Sequence, residues 1–237
     1  MPRRGRRIAG HISPDASSIV VVPVGSWEQH GPHLPFDTDS VIAESLVDAA
    51  VERAGSPRFF VAPTVAYSAS DEHAGFPGLL SVGTQATVEV LVSLARSAAA
   101  WSRGTVFVNG HGGNADALVE VKSRLDAEQI THQMWWPRPV AGRESDLHAG
   151  WTETSVMLHL APDVVAASEL PTGATGDAAE LVAHMRAGGI VAVSDNGVVG
   201  DARGATAVDG KGIFEAWVDS LARCLADADT TWPHPGR

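Results

Sequence analysis

The sequence predicts an α/β protein built as a three-layer sandwich, with a mostly parallel sheet covered by helices on both faces. Short apolar runs rich in β-branched residues, at 18–24, 59–65 and 105–109, are typical of strands that are buried on both faces. Stretches with helical spacing of apolar residues separate these runs, and such alternation is typical of βαβ units. The sequence contains no internal repeat and no visible domain boundary, so we expect residues 1–237 to form one domain.

The helices follow the strands in chain order. The spacing of apolar residues predicts helices at 39–54, 84–102, 114–128 and 205–227. Gly55 and Gly104 each follow a predicted helix, in keeping with the preference for glycine just past a helix end. A further helix is expected to begin near Glu153, whose carboxylate would be favoured by the helix dipole in the first turn.

The sequence between the third predicted strand and the last helix shows weaker periodicity. We expect a fourth strand at 131–136, which would add to the same sheet. Residues 161–204 are rich in glycine and are expected to be mainly loop. Within them, a short strand is expected between residues 189 and 199.

Composition excludes several classes of function. A formal charge of -11 would repel polyphosphate, so we expect no nucleic-acid partner and no anionic membrane surface. No apolar run has the length of a membrane span. Residues 1–17 carry an arginine cluster but lack the apolar segment of a signal peptide, and we expect them to form a flexible N-terminal arm. With Cys224 as the one cysteine, no internal disulfide can form, and we expect a cytoplasmic protein.

Side chains that can bind metals are concentrated directly after the first predicted strand. The segment contains Glu28 and His30, and it ends with Asp37 and Asp39. If the chain stays extended, the period of two points Glu28 and His30 to one side and sends Gln29 to the other. Loops that follow parallel strands meet at the carboxyl edge of the sheet, where α/β proteins commonly bind their ligands. Chemistry alone does not choose between the two aspartates.

Two later loops add further candidates. His111 lies between glycines after the third strand, and His148 and Glu153 lie five residues apart across a predicted helix start. A set of imidazoles and carboxylates without cysteine suits zinc, manganese or iron(II). Two divalent ions would be neutralised by three carboxylates and one hydroxide. The sequence therefore predicts a dinuclear site that can activate water and polarise a carbonyl group.

The connection after the second predicted strand, residues 66–78, is unusually long for a compact domain. It carries Asp71, Glu72 and His73 in succession. We expect these side chains either to line the substrate cleft or to be solvated parts of a loop, and the sequence favours neither interpretation.

Several blocks of the sequence resemble the signature of the creatininase family of metal-dependent amidohydrolases. They are residues 22–35, 70–78, 108–114 and 148–155. Their order and separation are similar to those of the family over about residues 18–224. Within the family, residues 107–114 and 191–201 are most similar to the mycofactocin-system members, which are peptidases that trim the modified precursor peptide of that redox cofactor.

The resemblance implies a set of site residues, each carried over by position. It implies two divalent metal ions per subunit, as zinc, iron(II) or manganese, and a ring-like homo-oligomer. It selects Asp39 over Asp37 as the residue that bridges the ions. The implied ligands of one ion are Glu28 and His111, those of the other are His30 and Glu153, and the implied catalytic residue is His148.

Two positions depart from the pattern of the family. Creatininase proper carries a glutamate two residues after the histidine that matches His111, where this chain has Gly113. Trp27 stands where a small threonine is usual. We therefore expect a short modified peptide as substrate, rather than creatinine. The alternatives are a creatininase-type hydrolase of cyclic amides and a non-catalytic, metal-stabilised scaffold in a maturation complex.

Overall fold

The computed structural model describes residues 14–233 and contains a parallel sheet with helices on both sides. The strands are β1 (Ile19–Val24), β2 (Phe59–Val61), β3 (Gly104–Asn109) and β4 (His132–Trp135). The helices are α1 (Thr38–Ala54), α2 (Gly83–Ala99), α3 (Ala115–Ala127), α4 (Trp151–Leu160), α5 (Ala178–Gly188) and α6 (Ala207–Thr231). Within the described range, no helix is both long and apolar enough to cross a lipid bilayer. Residues 1–13 of the predicted N-terminal arm lie outside that range.

β1 lies inside the sheet, whose strand order is β2-β1-β3-β4 with every pair parallel. All residues of β1 and β3 are buried. The side chains of β1 alternate between two cores: Ile19 and Val21 pack with α1, α4 and α6, whereas Val20 and Val22 pack with α2 and α3. The predicted three-layer sandwich is therefore confirmed, with helices covering both faces of the sheet.

Two glycines let the start of α1 pack against the ends of β1 and β3. The register places Val24 opposite Asn109, so both strands end at the same level. Gly25 and Gly110 follow directly, and a Cβ on either would collide with the backbone of the first turn of α1. At Gly110 this Cβ would lie 2.6 Å from the carbonyl oxygen of Asp39. The close approach brings Asp39 to the carboxyl edge of the sheet.

β2 is shorter than predicted. The strand expected over 59–65 ends at Val61, and the chain pairs with β1 again only at an isolated bridge between Val65 and Val24. Pro63 lies between these two points and has no N–H to continue the ladder. The chain nevertheless stays beside β1, because the amide of Val65 donates to the carbonyl of Pro23 at 2.9 Å.

Residues 161–204 are mainly loop, as predicted, but they differ from the prediction in two respects. The segment contains the helix α5, which was not expected, and Asp177 caps it by accepting hydrogen bonds from two backbone N–H groups of the first turn. The strand expected within 189–199 is not formed, and a 3₁₀ turn at Ile190–Ala192 occupies the start of that segment. Asp177 followed by Glu180 is a helix-start signal that the surrounding glycines obscure.

Close packing of α4 against α6 makes Gly210 intolerant of a larger side chain. A Cβ at this position would collide with the carbonyl group of Ser155 on α4. Gly210→Ala should therefore lower the free energy of unfolding by about 1–3 kcal/mol, the usual penalty of overpacking. Chemical denaturation of the purified variant measures this change.

Gly212→Ala is the matched control, because the same substitution two residues further along α6 places a Cβ that meets nothing within 4 Å. Replacing this exposed helical glycine should raise the free energy of unfolding by about 0.5–1 kcal/mol. Equal effects of the two substitutions would contradict the packing of α4 against α6.

Candidate metal centre

The six residues singled out from the sequence meet at the carboxyl edge of the sheet. They are Glu28, His30, Asp39, His111, His148 and Glu153. Three groups have ligand atoms that all lie within 4.8 Å of one another: Glu28 with Asp39 and His111, His30 with Asp39 and Glu153, and Glu28 with His30 and His148. Asp39 belongs to two of these groups. Asp37 belongs to none of the groups found among residues 14–233.

The carboxylate of Asp39 lies between two imidazoles. Its Oδ1 is 3.1 Å from Nε2 of His30, and its Oδ2 is 3.0 Å from Nδ1 of His111. The hydroxyl of Ser26 also donates to Oδ2, at 2.6 Å. Burial opposes ionisation of Asp39, but His30 and His111 overcome this effect and hold its pKa well below the usual value. Asp39 is therefore an anion that faces both halves of the cluster.

Three of the histidines are oriented by backbone carbonyl groups. Nδ1 of His30 lies 3.2 Å from the carbonyl oxygen of Glu28, Nε2 of His111 lies 2.8 Å from that of Ala69, and Nε2 of His148 lies 2.8 Å from that of Gln29. A carbonyl oxygen can only accept, so each of these nitrogens carries the proton. In the neutral ring, the other nitrogen then offers a lone pair to the cluster, which is the arrangement found in metal-binding histidines.

Glu28 carries two buried carboxylate oxygens without a well-directed hydrogen bond. Nε2 of His73 and Nε2 of His111 lie 3.0 Å and 3.2 Å from them, but neither N–H points straight at its oxygen. A buried carboxylate in this situation is unfavourable unless a cation lies next to it. The residues therefore fit a metal site in two ways: they are imidazoles and carboxylates, and the buried oxygens of Glu28 lack the hydrogen bonds that would otherwise stabilise them.

When no cation is bound, protons balance the negative charge of the cluster. Burial alone would lower the pKa of His30, but Asp39 and other nearby carboxylates raise it to about 9. Burial raises the pKa of Glu153 to about 7. A metal ion that binds here must displace such protons, so metal affinity should increase with pH.

His148 lies beside the cluster rather than between its carboxylates. Its Nδ1 is 3.7 Å from Oε1 of Glu28, and its ring centre is 4.3 Å from that of His30. Burial lowers the pKa of His148 well below the usual value, and the neighbouring His30 lowers it further. An unperturbed imidazole titrates near neutral pH, and the difference at His148 comes mainly from its burial.

The structure separates the three polar residues of the long connection after β2. His73 is buried in the cluster, and Glu72 places Oε1 3.3 Å from Nε2 of His111. Asp71 is exposed instead, and it accepts a hydrogen bond from Ser81 at 2.5 Å. The sequence predicts the same two roles for all three. The available signal was that this loop follows a strand of the sheet, as each of the other ligand-bearing loops does.

Gly113 makes room for the carboxylate of Glu72. A Cβ at residue 113 would collide with Oε1 of Glu72 and with Nε2 of His111. The carboxylate next to His111 is thus supplied by the loop after β2 rather than by residue 113.

A cavity of about 270 Å³ borders the cluster at His111 and Glu153. Its walls are partly apolar and include Ile42, Leu118, Trp136, Leu147 and Trp217, while Arg138 and Arg143 also line it. A substrate could reach the carboxylates and imidazoles from this side. Trp27 lies elsewhere, in an aromatic cluster with Phe36 and Tyr67 at ring-centre distances of 6.0 and 6.2 Å.

Comparison with known proteins assigns the family. A family model described as creatinine amidohydrolase matches residues 10–225. The chain belongs to the creatininase family. The resemblance noted in the sequence is confirmed, and the protein is a hydrolase of this family of metal-dependent amidohydrolases. The creatininase-family chain is 49% identical over 207 residues to the mycofactocin precursor peptide peptidase of Mycolicibacterium smegmatis, which covers 86% of this chain and 83% of the relative.

Solved creatininase structures share the fold. A manganese creatininase superposes with a TM-score of 0.73 at 22% identity, covering 90% of this chain and 92% of the other. A Zn–Zn form of a creatininase variant superposes with a TM-score of 0.72 at 21% identity, again covering 90% and 92%. This similarity establishes the fold of the creatininase family for the chain.

The position of Asp39 predicts that metal binding depends strongly on its carboxylate. Asp39→Asn replaces one anionic oxygen by an amide nitrogen and removes the charge that faces His30 and His111. Zinc binding should weaken by more than about 100-fold, the upper range for losing a residue that only supports a ligand. Isothermal titration of metal-depleted protein with zinc measures the change.

Asp37→Asn is the matched control, because this carboxylate lies two residues away, is partly exposed and makes no capping hydrogen bond with its side chain. Its zinc affinity should stay within about twofold of the wild-type value. Loss of zinc binding in Asp37→Asn, with zinc binding retained in Asp39→Asn, would show that the central carboxylate is Asp37 and not Asp39.

Proposed function

We propose that the protein is a dinuclear metallopeptidase that cleaves an amide bond of the modified precursor peptide in mycofactocin maturation. The observation that carries the proposal is the shared position of Asp39, which joins two ligand groups around one carboxylate. The high identity to the Mycolicibacterium smegmatis peptidase over most of both chains supports the substrate.

Five residues would hold the two divalent ions. Glu28 and His111 would bind one, His30 and Glu153 the other, and Asp39 both. The three carboxylates and one hydroxide balance the charge of two divalent cations. The set of nitrogen and oxygen ligands suits zinc, iron(II) or manganese. Such ions, when bound, lower the pKa of the attacking water and polarise the scissile carbonyl group.

His148 is the residue placed to move protons during the reaction. Its ring is neutral before the reaction, and its Nε2 is held by the carbonyl oxygen of Gln29. Nδ1 is therefore free to take up the proton of the attacking hydroxide group once the carbon–oxygen bond has formed. When the carbon–nitrogen bond breaks, the same nitrogen gives this proton to the departing amine, because an amide anion is a very poor leaving group.

The cavity beside His111 and Glu153 would hold the residues that flank the scissile bond. Its apolar walls favour side chains that lose water on binding. A formal charge of -11 supports the absence of a nucleic-acid partner. The cytoplasmic location and the homo-oligomeric state inferred from the sequence stay predictions and form part of the proposal.

The two alternatives differ from the proposal in measurable ways. A hydrolase of small cyclic amides would turn over creatinine rapidly. Gly113 disfavours this alternative, because creatininase proper resembles this chain but carries a glutamate at that position. A non-catalytic scaffold would bind metal and the precursor peptide but release no product. The cavity that borders His111 and Glu153 favours a catalyst over a scaffold, because a purely structural metal site is closed whereas a catalytic one keeps an open side.

Cleavage of the modified precursor peptide tests the proposal. Metal-loaded protein incubated with that peptide should give two products whose masses sum to that of the peptide plus one water. Removal of metal by a chelator should abolish cleavage and lower the melting temperature, since the buried carboxylates then repel one another. Mass spectrometry and differential scanning calorimetry provide the two readouts. Creatinine is the control substrate, and rapid turnover of creatinine with an intact peptide would favour the first alternative.

His148→Ala tests the proton-transfer role. The variant should keep both metals and nearly the wild-type melting temperature, and lose about 10²- to 10⁴-fold in turnover, the usual contribution of a positioned acid or base. A lower melting temperature with unchanged turnover would show that the histidine only supports the start of α4. Loss of a metal ion would show that His148 is a ligand. Metal analysis, calorimetry and turnover on this one variant distinguish the three outcomes.

A further inference from the structure

Only one amide orientation of Gln29 satisfies its neighbours. The backbone N–H of Gly31 donates to Oε1 of Gln29 at 2.7 Å, so the side-chain oxygen must lie on this side and the NH₂ group on the other. The NH₂ group donates to the carbonyl oxygen of Gly197 at 3.2 Å, and it lies 3.1 Å from Nδ1 of His73. Both of its hydrogens have acceptors only if Nδ1 of His73 carries a lone pair.

This orientation determines the protonation of His73. A proton on Nδ1 would face the NH₂ group and leave two buried donors pointing at each other, since both side chains are buried. The doubly protonated ring has the same conflict. His73 is therefore neutral, with its proton on Nε2.

The proton of His73 therefore lies on the nitrogen that faces the cluster, whereas the three other imidazoles in the cluster each hold a proton on the nitrogen that faces away from it. His30, His111 and His148 each donate one N–H to a backbone carbonyl, and the other nitrogen of each faces the cluster and carries a lone pair when the ring is neutral. His73 accepts at its outer nitrogen and turns an N–H inward. Nε2 of His73 lies 3.0 Å from Oε1 of Glu28.

We propose that Gln29 holds the proton of His73 on Nε2, the nitrogen that faces Glu28, and thereby excludes His73 from metal binding. The ligand atoms of Glu28, Glu72 and His73 lie within 4.8 Å of one another and resemble a metal site by distance alone. A cation could bind Nε2 only if its proton moved to Nδ1, where it would face the NH₂ group of Gln29. His73 is instead a positioning residue that acts through Glu28, because the groups around a metal-binding carboxylate orient it.

The tautomer of His73 follows from the hydrogen bonds of Gln29 and does not depend on any substrate. The positioning role of His73 rests on the proposed metal-dependent function. The N–H of His73 is not aligned with Oε1 of Glu28, so the contact is an electrostatic attraction between an N–H group and a carboxylate rather than a hydrogen bond.

Solid-state ¹⁵N NMR of the full chain with labelled histidine tests the tautomer. A protonated and an unprotonated ring nitrogen have well-separated chemical shifts, and the signals that disappear in His73→Gln belong to His73. We expect an unprotonated Nδ1 and a protonated Nε2, unchanged when zinc is added. An unprotonated Nε2, a doubly protonated ring, or a zinc-induced shift of coordination size at His73 would overturn the inference.

Gln29→Glu should place a proton on Nδ1 of His73, because a carboxylate can accept from that nitrogen but cannot donate to it. Gln133→Glu is the matched control, since the same change at an exposed glutamine of β4 should leave the His73 signals unchanged. If Nδ1 of His73 stays unprotonated in Gln29→Glu, the proposed role of Gln29 is wrong. All three spectra are recorded without substrate, so a failed peptide-cleavage assay leaves this result standing.

Zinc affinity tests the positioning role. His73→Ala should bind zinc about 10- to 100-fold more weakly, the usual effect of losing a partner of a ligand. His73→Gln, whose amide can place an N–H near the original Nε2, should recover most of this loss. Wild-type zinc affinity in His73→Ala, or equal weakening in both variants at equal melting temperature, would overturn the positioning role.

Discussion

The structure depends on holding three carboxylates side by side in the protein interior. Glu28 and Asp39 are almost completely buried, and Glu153 joins them at the start of α4. Like charges at such short range are strongly unfavourable without compensation. The fold supplies part of it by placing Asp39 and Glu153 in the first turns of α1 and α4, where the helix dipoles favour negative charge. The imidazoles supply another part, and the remainder is left for cations.

The compensation extends to the backbone around Glu153. The N–H of Ala149 donates to Oε2 of Glu153 at 2.6 Å. Ala149 is not a glycine, yet it adopts a positive φ of 51°. Residues held in such conformations usually occur where the surrounding structure imposes them, and functional sites are a common place. The strained turn and the buried carboxylate therefore belong to one local arrangement.

The sequence was sufficient to predict most of the fold and the residues that meet at the carboxyl edge of the sheet, for a physical reason. Strands buried on both faces must be apolar throughout, as β1 and β3 are, and parallel strands must deliver their following loops to one edge. What it could not predict depends on contacts between segments distant in the chain. His73 joins the cluster because the loop after β2 folds back over the edge of the sheet, and nothing in its local pattern distinguishes it from Asp71. The protonated nitrogen of each imidazole depends on carbonyl groups and on the Gln29 amide, which a sequence does not place.

The shared space of Glu72 and residue 113 constrains how this site can diverge. The two positions are far apart in the chain but compete for one volume beside His111. A side chain at residue 113 would meet both Oε1 of Glu72 and Nε2 of His111 at its Cβ position. Moving the carboxylate from the loop after β2 to the loop after β3 is therefore a concerted change, in which residue 72, residue 113 and the His111 ring must all shift.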